Sequence, residues 1–472
     1  MTTPTATDTA DATQFLRNRG EAHLRQLDEF LRIESVSADP ARRQKVRAAA
    51  EWVRDELTRI GAENAQLHET PLHPIVTADW LHAAPDAPTV LVYCHYDVQP
   101  EDPVDEWVRP PFEPRHEGDR LYARGAADDK GQLFMHLKAT EAYLRGGQGR
   151  LPLNLRFLFE GEEEIGSDHL DAFLESRPDL LGADVAVVSD TSMFAEGVPT
   201  LGHGMRGLAY LELRVSGPSQ DLHSGQFGGA VGNPALVLAR MLASLHDERG
   251  HVTVPGFYDA VRPLSDDERR SIASLPHDDE GFRSLTGVPQ LAGEEGFSTL
   301  ERLWVRPTLD VNGIWGGYTG EGAKTIIPAF AVAKISCRLV PDQDHREIAR
   351  IVEEHLQRIA PPTVRAQVTR LHGGAPSLTP LDHPAVRAAG RALEATFGKP
   401  PVFTRGGGSI PVVASFDSIL GLKTVLLGFG LPDENAHSPN EWLSLKNYRT
   451  GLETLVHLWD ELGRMSPADL RG

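Results

Sequence analysis

Cysteine and long apolar runs are both scarce in this sequence. Cys94 and Cys337 are the only cysteines among 472 residues. Two thiols are too few for a disulfide framework or a zinc ribbon, and each lies in an apolar run that suits a small buried side chain. No run of eighteen apolar residues occurs, and the first fourteen residues lack the basic and apolar segments of a secretory signal. We therefore expect a soluble, cytoplasmic protein with no membrane partner.

Positive charge is also in deficit. Lys and Arg number 47 and Asp and Glu number 67, which gives a net charge of −20. Such a chain repels a phosphate backbone, so no nucleic-acid partner is expected, whereas bound cations would be favourable. A length of 472 residues exceeds one ordinary core and predicts two domains.

Helical and strand patterns alternate in the first part of the chain. Helical spacing covers residues 13–33 and 43–60, and apolar runs of strand length end near His95, Glu160 and Asp190. Buried strands that alternate with helices are typical of a mostly parallel sheet with helices on both faces. The predicted fold class is therefore α/β, in which ligands gather beyond the carboxyl ends of the strands.

The pattern changes after the first two hundred residues. Residues 208–216 and 330–342 alternate as half-exposed strands would, and a helical pattern follows at 345–360. These features predict an inserted α+β domain, in which residues 250–306 form a long insertion rich in Pro, Gly and charge. A strand pattern at 422–430 indicates a return to the first domain. The predicted boundaries are 1–206 and 380–472 for the first domain and 207–379 for the second.

An unusual acidic cluster follows one predicted strand. The stretch LFEGEEEIGS places Glu162, Glu163 and Glu164 side by side, with no Lys or Arg among them. Adjacent like charges cost free energy unless positive charge compensates for them. An acidic surface turn is one interpretation and a bound cation is the other.

Other polar residues also follow predicted strands. His95 and Asp97 lie two apart on a strand and share a face, as a metal ligand and the acid that orients it would. A structural histidine is the alternative. Asp128 precedes a helix, where a capping role is the alternative. Asp190 ends an apolar strand, and His437 lies in a loop after the last one.

Five of these side chains fall at or beyond strand ends, at one edge of one predicted sheet: His95, Asp128, Glu164, Asp190 and His437. Two imidazoles and three carboxylates are too many for a structural zinc with four ligands, which also favours thiolates. An all-oxygen calcium site would not need histidine. Two transition-metal ions that share a bridging carboxylate would use all five and leave another carboxylate as a base.

Eight motifs together carry a family resemblance. In chain order they are HYDVQP, RGAADDKG, EGEEEIGS, VSD, DLHSG, CRLVP, GGGSIPV and AHSPNE. In order and spacing they resemble the dinuclear metallopeptidases that include carnosinase-like dipeptidases, aminoacylase, glutamate carboxypeptidase and succinyl-diaminopimelate desuccinylase. The resemblance covers nearly the whole chain after about residue 20, and it is strongest to the carnosinase-like dipeptidases.

The resemblance implies a metal ligand at each of the five positions. Asp128 would bridge two divalent ions, with Zn2+ preferred and Mn2+ or Co2+ as alternatives. His95 and Asp190 would complete one site, and Glu164 and His437 would complete the other.

The resemblance also implies roles for the residues beside the ligands. Glu163 would be the general base on the metal-bridging water, and Asp97 would orient His95. Glu162 would face solvent. The peptide bond that follows Asp128 would be cis, as it usually is in the family.

The inserted domain would be a lid that carries the contact of a homodimer. In the family, the histidine of a motif like DLHSG reaches into the partner's active site, so His223 would stabilise the oxyanion there. Arg338 and Ser409 resemble a clamp on the substrate's carboxylate, and Thr325 would assist. Structural roles are the alternative for these last three residues.

Three functions compete at this point. A peptidase would cleave dipeptides or small peptides with a free C-terminal carboxylate, an N-acyl-amino-acid hydrolase or desuccinylase would use the same machinery, and a non-catalytic binding protein would need none of it. The five ligands and the base argue against the last. The insertion at 250–306 and the aspartate at position 190 resemble the dipeptidases, because the family's acylases, carboxypeptidases and desuccinylase generally carry glutamate there. We therefore predict a metal-dependent dipeptidase.

Overall fold

The computed structural model describes residues 6–147, 149–407 and 410–471. Its strands are β1 (Glu63–His68), β2 (Ile75–Trp80), β3 (Thr89–His95), β4 (Arg115–Glu117), β5 (Arg120–Tyr122), β6 (Asn154–Glu160), β7 (Val185–Val188), β8 (Thr200–Met205), β9 (Gly207–Ser216), β10 (Leu222–His223), β11 (Thr308–Gly316), β12 (Ile326–Ile327), β13 (Phe330–Leu339), β14 (Arg365–Gly374), β15 (Ser377–Leu378), β16 (Val402–Gly406), β17 (Thr424–Leu426) and β18 (Trp442–Ser444).

The helices complete the set of elements. In chain order they are α1 (Ala6–Leu31), α2 (Arg43–Ile60), α3 (Lys130–Glu141), α4 (Leu170–Ser176), α5 (Pro178–Leu181), α6 (Ser224–Phe227), α7 (Pro234–Ala243), α8 (Asp266–Ala273), α9 (Asp279–Thr286), α10 (Thr299–Trp304), α11 (His345–Ile359), α12 (Pro384–Phe397), α13 (Pro411–Ser415), α14 (Leu445–Gly463) and α15 (Pro467–Arg471). Short 3-10 helices lie at Pro40–Arg42, Val104–Glu106 and Glu163–Ile165, and π-helical turns lie at Ala142–Gly146 and Phe416–Leu420.

Contacts divide the chain into two units. The first holds the amino-terminal part up to Gly204, the segment Thr379–Thr404 and the chain from Ile410 onward. Its central sheet runs in the order β1-β2-β6-β3-β7-β17-β8. The pairs β6 with β3, β3 with β7 and β7 with β17 are parallel, and antiparallel pairs flank them on both sides. The predicted α/β class with a mostly parallel sheet is confirmed, with antiparallel strands added at its edges.

Strand β3 lies at the centre of this sheet and is buried on both faces. Val90, Val92 and Cys94 point into the main core, to which α1, α2, α3, α12 and α14 contribute. Tyr93 points to the opposite face, where its ring lies 5.6 Å from that of Phe416. Burial on two faces explains why β3 is a continuous apolar run rather than an alternating one.

Helix α3 carries charged side chains into this core. All of its residues are buried, so its ionisable groups need partners. Lys138 Nζ forms a close ion pair with Glu56 and donates to Glu141 Oε2 at 3.1 Å. Arg59 donates to the same two carboxylates at 2.6 and 2.9 Å. This network ties α2 to α3.

The second unit holds Met205–Leu378 and a short return that begins at Arg405. Its sheet runs in the order β11-β13-β9-β14, and every pair in it is antiparallel. Strand β9 alternates between buried and half-buried residues along its whole length. Helices α7 and α11 pack on the buried face. The predicted α+β character is confirmed, and the stretch 250–306 contains α8, α9 and α10.

Cys94 and Cys337 are buried and form no disulfide, in keeping with their apolar surroundings. Within the described ranges, no helix has the length and hydropathy of a membrane span. The cytoplasmic location remains a prediction.

Candidate metal centre

The candidate ligands lie where strands of the parallel sheet end. His95 is the last residue of β3, Glu164 lies in the turn after β6, and Asp190 lies two residues beyond β7. These three strands are neighbours, so their carboxyl ends meet at one edge of the sheet. Asp128 precedes α3, and His437 lies in the loop between β17 and β18. The peptide bond that follows Asp128 is cis, as the resemblance implies.

Asp128 is the shared member of this cluster. Its Oδ1 lies 3.1 Å from His95 Nε2, and its Oδ2 lies 2.9 Å from His437 Nε2. His437 Nε2 is also 3.2 Å from Glu164 Oε2, and His95 Nε2 is 3.9 Å from Asp190 Oδ2. The two oxygens of one carboxylate therefore face two different histidines, each of which has a second carboxylate nearby.

Two overlapping groups of side chains in the described part of the chain are close enough to hold a metal ion. His95, Asp128 and Glu164 form one group, and His95, Glu163 and Asp190 form the other, with the ligand atoms of each group within 4.8 Å of one another. The four carboxylates in these groups carry four negative charges when ionised, which two divalent cations would balance. Glu163 therefore faces the same centre as the candidate ligands.

The donor set fits divalent transition metals. The Nδ1–H group of His95 donates to the carbonyl oxygen of Asp97 at 3.0 Å, and Nε2, 3.1 Å from Asp128 Oδ1, is the ring nitrogen left to bind a cation. The buried Oε1 of Glu164 has no hydrogen-bond partner among the described residues. An orphaned carboxylate oxygen is costly to bury unless a cation binds it. Imidazole and carboxylate together suit Zn2+ and its transition-metal neighbours.

Burial and crowding shift the pKa values in this cluster. Burial raises the pKa of Glu163 and of Asp190 well above the usual range, and neighbouring carboxylates add to the effect. Burial also raises the pKa of Glu164, together with the charge of Asp128. Hydrogen bonds to Asp128 and Glu164 raise the pKa of His437 to about 10. The direction of these pKa shifts reflects the negative charge concentrated in this cluster, which bound cations would offset.

Asp97 and Gln99 contact the candidate ligands Glu164 and His95. Asp97 Oδ2 accepts a hydrogen bond from the backbone N–H of Glu164 at 3.2 Å, and its Oδ1 lies 3.4 Å from His95 Nδ1. Gln99 Nε2 donates to Glu164 Oε2 at 2.8 Å. Gln99 is not among the residues predicted from the sequence. Its place two residues after Asp97 in HYDVQP is the signal that could have found it.

Glu162 does not face solvent, so that expectation is wrong. It is 3 % exposed, and its Oε1 accepts hydrogen bonds from Thr70 Oγ1 and from the backbone N–H of His73, both at 2.9 Å. Its Oε2 lies 2.6 Å from His169 Nδ1. Because successive side chains of a 3-10 helix are rotated by about 120°, the adjacent glutamates point in different directions. The acidic run therefore has three distinct environments.

The second unit holds three of the four residues predicted to act on the substrate from outside the metal centre. His223 is exposed, and its Nδ1 accepts from the N–H of Gly225 at 3.0 Å, which leaves the proton of the neutral ring on Nε2. Thr325 is exposed, and its carbonyl oxygen accepts a hydrogen bond from the backbone N–H of Ser224 at 3.0 Å. Arg338 lies half-buried on β13, where burial lowers its pKa. Ser409 lies outside the described residues.

A second arginine lies near Arg338. Arg206 is 9 % exposed, and its Nε donates to the carbonyl oxygen of Gly407 at 2.9 Å. Burial, together with repulsion from Arg338, lowers its pKa to about 10. Positive charge is therefore concentrated beside the glycine-rich segment. Arg206 is not among the predicted site residues, because it lies in none of the recognised motifs.

The family of the chain follows from comparison with known sequences. The model of peptidase family M20/M25/M40 matches residues 91–461, a stretch that contains all five candidate ligands. The chain belongs to this family. It is a metallopeptidase, a hydrolase that depends on divalent metal ions.

Three relatives define its surroundings within the family. The chain is 34% identical over 457 residues to Cys-Gly metallodipeptidase dug1 of Schizosaccharomyces pombe, covering 94% of this chain and 96% of that protein. It is 32% identical over 469 residues to Beta-Ala-His dipeptidase of Homo sapiens, with coverages of 96% and 92%. The solved structure of the metallo-carboxypeptidase Sso-CP2 from Sulfolobus solfataricus has a TM-score of 0.86 at 33% identity, with coverages of 94% and 99%. The predicted kinship with carnosinase-like dipeptidases is confirmed.

Proposed function

We propose that this chain hydrolyses the amide bond of dipeptides or small peptides that carry a free C-terminal carboxylate. One observation carries the proposal: Asp128 presents one carboxylate oxygen to His95 and the other to His437, at 3.1 and 2.9 Å. Such a shared carboxylate suits a pair of metal ions acting on one substrate. The relatives named for Cys-Gly and β-Ala-His support the substrate class.

Asp128 is assigned to the bridge that two divalent ions would share. His95 and Asp190 would hold one ion, and Glu164 and His437 would hold the other. Zn2+ is preferred, with Mn2+ or Co2+ as alternatives, because each set mixes imidazole and carboxylate. The chemistry that two bound ions would supply is acidification of the attacking water and polarisation of the scissile carbonyl.

Glu163 is assigned as the general base. It takes the proton of the attacking water as the C–O bond forms and delivers it to the leaving nitrogen as the C–N bond breaks. Its carboxylate faces the same centre as His95 and Asp190, which a proton acceptor beside the ligands requires. Asp97 is assigned to orient His95, and the 3.0 Å contact of its carbonyl oxygen with His95 Nδ1 supports this role.

The inserted domain, residues 207–379, is assigned as a lid that forms a homodimer, inserted between the catalytic parts 1–206 and 380–472. Strand β11 lies at the edge of its sheet and exposes Val311, Ile314 and Trp315. A second copy of the chain would cover this apolar strip. In such a dimer the exposed Nε2–H of His223 would serve as the oxyanion donor in the partner's site.

Arg338, Ser409 and Thr325 are assigned to the substrate's C-terminal carboxylate. A guanidinium fork and backbone amides suit that anion. The concentration of positive charge at Arg338 and Arg206 supports this assignment.

A matched pair of substrates tests the function. With metal-loaded protein, kcat/KM for β-Ala-His should exceed that for its N-acetylated counterpart by on the order of 100-fold. The short side chain of Asp190 leaves room for the substrate's ammonium group to pair with a carboxylate oxygen, and a blocked amine gains nothing there. A strong chelator should abolish hydrolysis, and Zn2+, Mn2+ or Co2+ should restore it.

The same experiment separates the alternatives. Equal rates, or a preference for the acylated compound, would replace the dipeptidase by an N-acyl-amino-acid hydrolase. Hydrolysis of neither compound by the metal-loaded protein would exclude β-Ala-His as a substrate. Glu163→Gln protein prepared in parallel controls for a contaminating peptidase.

A further inference from the structure

Glu441 lies in the loop before β18 and is fully buried. Its Oε1 accepts hydrogen bonds from the backbone N–H groups of Ala127 at 2.9 Å and Asp128 at 3.1 Å. Its Oε2 accepts from the N–H of Gly125 at 2.9 Å and from Nη1 of Arg124 at 2.7 Å. One side chain therefore uses both of its oxygens to hold the loop that carries Asp128.

Glu441 also belongs to the loop that carries His437, four residues earlier. That loop contains several residues of positive φ, His437 among them, and lies outside any helix or strand. Glu434 closes the base of the loop, because its carboxylate accepts from the N–H groups of Leu431 and Ser444 at 2.9 and 2.8 Å. The side chain of Glu441 extends from this loop to the backbone of the other one, where the side chain of His437 also contacts Asp128.

We propose that Glu441 is a positioning residue that fixes Asp128 and His437 relative to each other, so that both can hold metal. The inference rests on the ligand roles proposed for those two residues. Glu441 acts through backbone amides and reaches no reacting atom. Acids that orient metal ligands in this indirect way typically change metal affinity by 10- to 100-fold.

A carboxylate is needed because four donors converge on it. The amide of glutamine offers one oxygen, so Glu441→Gln would set an NH2 group against two donors and lose two hydrogen bonds. It would also leave the guanidinium of Arg124, whose side chain is 1 % exposed, without its anion. The loop that carries Asp128 would then be free to shift.

The test measures metal affinity rather than activity. Metal-free wild-type protein, Glu441→Gln and Glu434→Gln are titrated with Zn2+ and with Mn2+ in competition with a chromophoric chelator. Glu434→Gln is the matched control, since it alters an equally buried carboxylate of the same loop that does not touch the Asp128 loop. We expect the dissociation constant to rise by about 10- to 100-fold in Glu441→Gln, and by at least several-fold less in Glu434→Gln.

The outcomes are distinguishable from failure of the proposed function. Wild-type protein that binds no pair of ions would overturn the function itself. Two other results would overturn only the role of Glu441, provided that the wild-type protein binds metal. One is an unchanged metal dissociation constant in folded Glu441→Gln, and the other is an equal loss of metal affinity in Glu434→Gln. If Glu441→Gln does not fold, the charge-neutral pair Arg124→Met/Glu441→Gln replaces it, and the same loss of affinity is expected.

Discussion

Three consecutive glutamates should respond in three different ways to the same isosteric change. Glu163→Gln should remove the proposed proton acceptor and leave the proposed metal ligands in place. The loss of a general base typically lowers the rate 10²- to 10⁴-fold, which is about 2.7 to 5.4 kcal/mol in the activation barrier. Both metal ions should remain bound, because Asp128, Glu164 and the two histidines keep their contacts.

Glu164→Gln should instead lose metal. Glu164 Oε2 lies 3.2 Å from His437 and accepts from Gln99 at 2.8 Å, while Oε1 has no partner among the described residues. The neutral amide is a poor metal ligand, so the protein should retain about one ion instead of two.

Glu162→Gln should change stability alone. The amide oxygen can keep both hydrogen bonds of Oε1, to Thr70 and His73, and only the contact with His169 weakens. The cost should be about 1 kcal/mol in urea unfolding, with metal content and rate within twofold of the wild type.

Metal analysis after gel filtration, steady-state kinetics and urea unfolding on the three proteins complete the assay. Stoichiometric metal loss in Glu163→Gln, with metal retained in Glu164→Gln, would exchange the two roles. A large loss of rate in Glu162→Gln would refute the assignment of separate roles to the three glutamates.

Further expectations concern stability and assembly. Lys138→Met leaves Glu56 and Glu141 with Arg59 as their cationic partner but removes their bonds to the lysine, and should cost about 1.5 to 3 kcal/mol in urea unfolding with kcat unchanged. Burial lowers the pKa of His136 to about 3, so as the pH falls this histidine is protonated in the unfolded chain before it is protonated in the folded one. The free energy of unfolding should therefore be about 2 kcal/mol lower at pH 5 than above pH 6.5. The decrease should be smaller in His136→Asn. Mixed His223→Ala and Glu163→Gln protomers should regain activity; no recovery after verified subunit exchange would contradict action in trans.

Elements with strong periodicity are predicted well from the sequence. Helix α2 has the predicted bounds of 43–60, because an apolar stripe runs along it and Gly61 ends it in the left-handed conformation. Strand β1 gives no such signal. Its residues are mostly polar and exposed or half-buried, and only pairing with β2 makes it a strand. Tertiary hydrogen bonding decides such edge strands, and local patterns do not.

The insertion at 250–306 contains helix-start signals that are easily overlooked because the stretch is rich in Pro, Gly and charge. Helices α8 and α10 each begin with a capping box, formed by Ser265 with Glu268 and by Ser298 with Glu301. The spacing Ser-x-x-Glu is visible in the sequence and predicts both helix starts. Richness in Pro, Gly and charge therefore did not mean a structureless segment here.

From the sequence alone, residues of the candidate site can be predicted only where a histidine or a carboxylate follows a recognisable strand. His95 and Asp190 follow apolar runs whose termini meet in any parallel sheet. Gln99 and Glu441 could not be found in this way, because their partners depend on how distant loops meet. Glu441 accepts from the N–H of Asp128, 313 residues away in the chain. No periodicity encodes such a contact.

Buried carboxylates explain how irregular loops can hold a metal centre. The loops of the proposed ligands have backbone N–H groups that no helix or sheet satisfies, and buried acids accept from them: Asp97 accepts from Glu164, and Glu441 accepts from Asp128. Each acid adds negative charge near groups that already repel one another, which bound cations offset. Ordering of these loops and metal binding are therefore coupled, since each lowers the free-energy cost of the other.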